Sequence, residues 1–133
     1  MVEIRGTVSS GMGRASKAFT EKRITEVERL FGFRPYPGTV NVRVPALNAF
    51  VALLGNPAAE TEPETPIGPL RWWPISVAFG PPSGDGRGPA VSVGLLVRGA
   101  RTRTSYLELV FPSRLRASGL RNGDSVHVTL VAP

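Results

Sequence analysis

The sequence predicts a mainly β fold, a closed or nearly closed β-barrel of about six strands with one inserted α-helix. Three observations predict it. Short runs rich in Val, Ile, Leu and aromatic residues recur along the chain. Gly- and Pro-containing stretches separate them, and one segment carries clear helical periodicity. Closing six strands on themselves leaves no exposed sheet edge.

The elements follow in order. Val2 to Val8 reads as a strand, and Ser9 to Ser16 as a Gly-containing turn. Thr20 is placed to cap a helix, with Glu21 in the first turn. Phe19 and Ile24 have the spacing of a hydrophobic staple. Ile24, Val27, Leu30 and Phe31 line one helical face, and Gly32 ends the helix. Two prolines and a glycine make Phe33 to Gly38 a rigid turn. Thr39 to Val44 alternates as a strand. Asn56 to Pro69, rich in Pro, Glu and Thr, reads as a solvated loop. Arg71 to Phe79, Ala90 to Val97, Ser105 to Phe111 and Ser125 to Val131 supply the remaining strands, with a Gly/Pro loop from Gly80 to Pro89. No internal repeat is evident.

Length and composition bound the function. A chain of 133 residues fits one domain spanning 1–133 with a real core. No apolar run approaches the length of a membrane span. Met1 to Gly6 includes Glu3 and Arg5, unlike a secretory leader. The absence of cysteine excludes disulfides and thiolate metal sites, and fits a cytoplasmic protein. The net charge of +6 comes almost wholly from arginine, whose forked donors suit phosphate, although a GC-rich coding bias gives the same composition.

Five segments can carry chemistry. In Gly11-Met12-Gly13-Arg14-Ala15-Ser16, glycines let backbone amides approach phosphate oxygens, or simply turn a strand into a helix. In Thr39-Val40-Asn41, the first and third side chains share a strand face. Their oxygens can hold a hard cation such as Mg²⁺, or bond to the adjacent turn. Gly94 to Thr104 gathers three arginines within six positions, beside Thr102, as an anion-binding or a solvated loop. Glu108 is the one acid in an apolar strand, facing either a pocket or solvent. Ser113-Arg114-Leu115-Arg116 precedes the turn Asn122-Gly123-Asp124. Trp72 and Trp73 fit the core better than a stacking role, and His127 reads as structural.

The order of these segments resembles the CTP-dependent riboflavin kinases typical of archaea. The resemblance rests on Ser10-Gly11-Met12-Gly13, Gly32 to Asn41, Arg101-Thr102, Glu108 with Pro112, Leu115-Arg116 and Gly123-Asp124. It leaves out the region from Ala46 to Pro69. Arg14 and Ala15 stand where many relatives carry an acidic residue and a further glycine. The resemblance implies a cradle-loop barrel. It implies that Gly11 to Ser16 and Ser113 to Arg116 contact the nucleotide, that Thr39 and Asn41 bind Mg²⁺, and that Thr102 and Glu108 meet the flavin. Glu108 is then the catalytic group. The implied reaction moves the γ-phosphoryl of CTP to the 5′-hydroxyl of riboflavin, giving CDP and FMN. The expected protein is a monomer without a specific nucleic-acid or membrane partner. Two other readings remain. Pro112 to Arg116 with Gly123 to Val126 is similar to AbrB-like DNA-binding barrels, and the same barrel can serve as a non-catalytic flavin or nucleotide sensor.

Overall fold

In the computed structural model, the structure describes residues 2–9, 21–36, 40–64, 68–83, 88–99, 106–112 and 120–131. Among them are seven strands and two helices: β1 (Glu3–Ser9), α1 (Glu21–Phe31), β2 (Val40–Arg43), α2 (Leu47–Leu53), β3 (Ala59–Glu64), β4 (Gly68–Ser83), β5 (Gly88–Gly99), β6 (Tyr106–Val110) and β7 (Ser125–Leu130). The sheet order is β3-β4-β5-β6-β2-β1-β7, and β7 pairs again with β4. Six strands, β4, β5, β6, β2, β1 and β7, therefore form a ring of antiparallel pairs, with β3 outside it beside β4. The ring strands are the six apolar runs legible in the sequence.

Alternation along each strand sorts the side chains between two cores. Val42, Trp73, Ile75, Leu96, Leu107, Leu109 and Val128 point into the ring. Their neighbours Trp72, Leu95, Val97 and Val110 point outward and meet Ile24 and Val27 of α1. The helix thus lies on the outer face of β4, β5 and β6, where Ile24 and Val27 are buried and Phe31 is partly covered, while Leu30, expected on the same stripe, is exposed. A fully buried leucine such as Leu109 contributes about 1.5–3 kcal/mol from burial alone. Gly32, at φ +81°, ends α1 in a backbone conformation that glycine tolerates, and its N–H donates to the Glu28 carbonyl at 2.9 Å. Past this stop, Arg34 pairs with Glu21 at 2.5 Å and approaches Glu28 at 3.8 Å.

Two expectations are corrected. The fold holds a second helix, α2, where one was expected. It has no side-chain cap at Ala46, and so no start signal in the sequence. Leu47, Phe50 and Leu54 have helical spacing, and they join the interior core of the ring. The stretch from Asn56 to Pro69 is not wholly a loop, because β3 forms within it. Its composition disfavours strand, but pairing with β4 overrides propensity. Thr61 is buried there, accepting a bond from Trp72 Nε1 at 3.2 Å and donating toward the Leu70 carbonyl at 3.4 Å.

Candidate functional site

The β-register builds the site. Asn41 on β2 is the direct partner of Glu108 on β6. Opposed residues of an antiparallel pair share a face, with Cβ atoms about 4.5–5.5 Å apart. Asn41 alternates with the inward Val42, and Glu108 with the inward Leu107 and Leu109, so both project onto the outer face. The row continues to Ser9 on β1, and in the other direction to Val97 and Trp72. Beneath α1 this row is apolar. It turns polar at Glu108, beyond the contacts of Val97 and Trp72 with the helix core.

That position sets the electrostatics. Glu108 is half-buried, and burial pushes its carboxyl above the usual carboxylate range, while the Arg98 guanidinium pulls it partly back. Arg98, near the end of β5, is itself held below its ordinary value by burial, against the opposing effect of Glu108. Arg98 Nη1 is buried and without a hydrogen-bond partner. Such a donor is costly to leave unmade, and it marks a place where an acceptor is favoured. Glu108 is thus a partly desolvated carboxylate within electrostatic reach of the Arg98 guanidinium.

The register also sets which strand ends meet. Ser9 pairs with Asn41, and Val40 with Leu109, so the end of β1, the start of β2 and the end of β6 lie at one end of the ring. The Tyr36 N–H donates to the Phe111 carbonyl at 2.8 Å, tying the Pro-rich turn to the end of β6. Gly94 allows the close approach of β5 there: a Cβ would stand 2.4 Å from the Val110 carbonyl oxygen and 2.5 Å from the Phe111 ring.

Of the expected site residues, the structure brings Asn41 and Glu108 together. Gly11, Met12, Gly13, Arg14, Ala15, Ser16, Thr39, Thr102, Ser113, Arg114, Leu115 and Arg116 lie outside the described residues. Trp72 and Trp73 are core residues, as their sequence context predicts. His127 Nε2 lies 3.3 Å from Glu3 Oε2 across β7 and β1, away from this row. Sequence reasoning did not single out Ser9 as part of this row, since only register brings it beside Asn41. Among the described residues no cluster of three or more His, Cys, Asp or Glu could hold a metal ion. The amide and carboxylate oxygens of Asn41 and Glu108 offer hard donors, which suit Mg²⁺ rather than a soft metal.

Comparison with known proteins adds to this geometry. A family model named for CTP-dependent riboflavin kinases, with the description "Domain of unknown function DUF120", matches residues 8–130. The riboflavin kinase of Methanocella arvoryzae is 31% identical over 138 aligned residues, covering 96% of this chain and 56% of that protein. The riboflavin kinase of Methanobrevibacter smithii is 42% identical over 45 residues, covering 33% of this chain and 36% of the relative. The chain thus spans about half the length of the first of these curated relatives.

Proposed function

This chain belongs to the CTP-dependent riboflavin kinase family, and from that premise we propose that it transfers the γ-phosphoryl group of CTP to the 5′-hydroxyl of riboflavin, giving FMN and CDP. The observation that carries the reading to particular atoms is the direct pairing of Asn41 with Glu108 on the outer face of β2 and β6. On this reading the six-strand ring is a cradle-loop barrel, working as a monomeric single domain.

Phosphoryl transfer asks for positioning and charge neutralisation more than for covalent chemistry. Glu108 accepts the hydrogen of the riboflavin 5′-hydroxyl, orients its oxygen for in-line attack and takes the proton as the new P–O bond forms. Burial raises its carboxyl and makes it a better base than an exposed glutamate, and Arg98 partly opposes that rise. Asn41, with Thr39 two residues before it in the sequence, would hold Mg²⁺. Bound there, the ion would neutralise charge on the transferring phosphates. Gly11 to Ser16 and Ser113 to Arg116 would hold the nucleotide, and Thr102 the flavin.

The test is incubation of the protein with riboflavin, Mg²⁺ and each nucleoside triphosphate in turn, with FMN read by chromatography. FMN formed with CTP supports the reading. Riboflavin binding with no FMN from any donor would leave the non-catalytic alternative, and tight binding of one DNA sequence without FMN would favour the AbrB-like one.

A further inference from the structure

The outer face of β2 and β6 continues one step beyond the Asn41–Glu108 pair. There Arg43 is the direct partner of Tyr106, and its guanidinium lies over the Tyr106 ring, 5.7 Å from the ring centroid. Neither residue is part of the family resemblance. Arg43 is exposed and, among the described residues, makes no ion pair. A long side chain loses rotamer freedom when held over a ring, and gains little there at an exposed site. The guanidinium keeps its forked donors for another group.

The surroundings of the pair say what that group is. Continuing the β5–β6 register from Val97 and Glu108 brings Gly99 beside Tyr106. A Cβ at Gly99 would come within 2.8 Å of Leu70 Cδ2, so Leu70 supplies an apolar wall on that flank. Two residues along a strand span roughly 6.5–7 Å. That is about the reach of the ribityl chain, which separates the 5′-hydroxyl of riboflavin from its ring system. A flavin whose hydroxyl meets Glu108, and whose chain runs back along β6, carries its ring to Tyr106.

We propose that Arg43 and Tyr106 form a flavin-recognition pair, in which Tyr106 holds the Arg43 guanidinium flat so that its other face stacks on the isoalloxazine ring. The inference rests on the riboflavin kinase reading and adds to it a specificity element for the acceptor. Arg43 is planar and weakly hydrated, which suits stacking, whereas lysine would keep only the charge. Tyr106 acts through Arg43 and is a positioning residue.

Riboflavin binding is measured directly, by quenching of its fluorescence without nucleotide, on wild type, Arg43→Ala, Arg43→Lys, Tyr106→Phe and Tyr106→Ala. Arg5→Ala, which removes an exposed arginine on β1, controls for net charge. Arg43→Ala is expected to weaken riboflavin binding roughly tenfold and to raise the riboflavin KM similarly, with kcat and CTP KM within about twofold. Arg43→Lys recovers part of the loss, and Tyr106→Phe stays near wild type. The double variant Arg43→Ala with Tyr106→Ala loses no more than Arg43→Ala alone. Riboflavin affinity of Arg43→Ala within twofold of a binding-competent wild type overturns this inference and leaves the kinase reading standing. A wild type that neither binds nor phosphorylates riboflavin overturns both.

Discussion

Asn41 and Glu108 face each other across β2 and β6, an amide beside a partly buried carboxylate on the outer face of the ring. They lie 67 residues apart in the chain (108 minus 41), and antiparallel register alone makes them neighbours.

Glu108→Gln keeps the shape and removes the charge. Turnover is expected to fall by about 10²–10⁴-fold, the usual worth of a general base, with CTP affinity little changed. The same substitution should stabilise the fold at neutral pH. Because the folded chain holds the Glu108 proton more tightly than the unfolded one, its contribution is fully present below the ordinary value of 4.5 and is lost as pH rises through the raised folded value. Glutamine has no proton to lose. The melting temperature of the variant, measured against wild type from pH 4 to pH 8, should gain on wild type as pH rises. A variant with normal turnover removes Glu108 from the mechanism.

Arg98→Met takes away the charge that pulls the Glu108 carboxyl down, and leaves burial unopposed. The carboxyl then rises, and the acidic limb of the kcat/KM profile should move to higher pH. Stability should change little. The substitution also relieves a partly desolvated guanidinium with an unpartnered Nη1. A pH profile identical to wild type would falsify the electrostatic link between the two residues.

Thr39→Val and Asn41→Leu each remove one hard oxygen donor from the proposed metal site. Both should lose Mg²⁺-dependent turnover while keeping the wild-type circular dichroism spectrum. Titrating Mg²⁺ in the assay is the check. Activity within a few-fold of wild type in both variants sinks the metal assignment.

Gly94→Ala tests the packing rather than the chemistry. The added Cβ would meet the Val110 carbonyl oxygen, backbone that cannot swing aside, as well as the Phe111 ring. The strands must part, at a cost of about 1–3 kcal/mol. Denaturant unfolding measures it. A variant as stable as wild type shows that β5 and β6 can separate there freely.

The sequence by itself determined the six ring strands, the first helix with its stop at Gly32, and the choice of Asn41 and Glu108. These are local signals: periodicity, turn chemistry and motif order act over a few residues. Only tertiary structure decided that β3 forms from Ala59–Glu64, since partners on β4 outweigh its own weak preference. Only tertiary structure packed the uncapped α2 against the ring interior, where Leu47 and Phe50 find cover. Register likewise turned an isolated acid in an apolar strand into a carboxylate opposite an amide, one step from Arg43 and Tyr106. No single segment encodes those neighbours, because each strand's partners are set by closing the ring, and a slip of one residue would turn Glu108 inward.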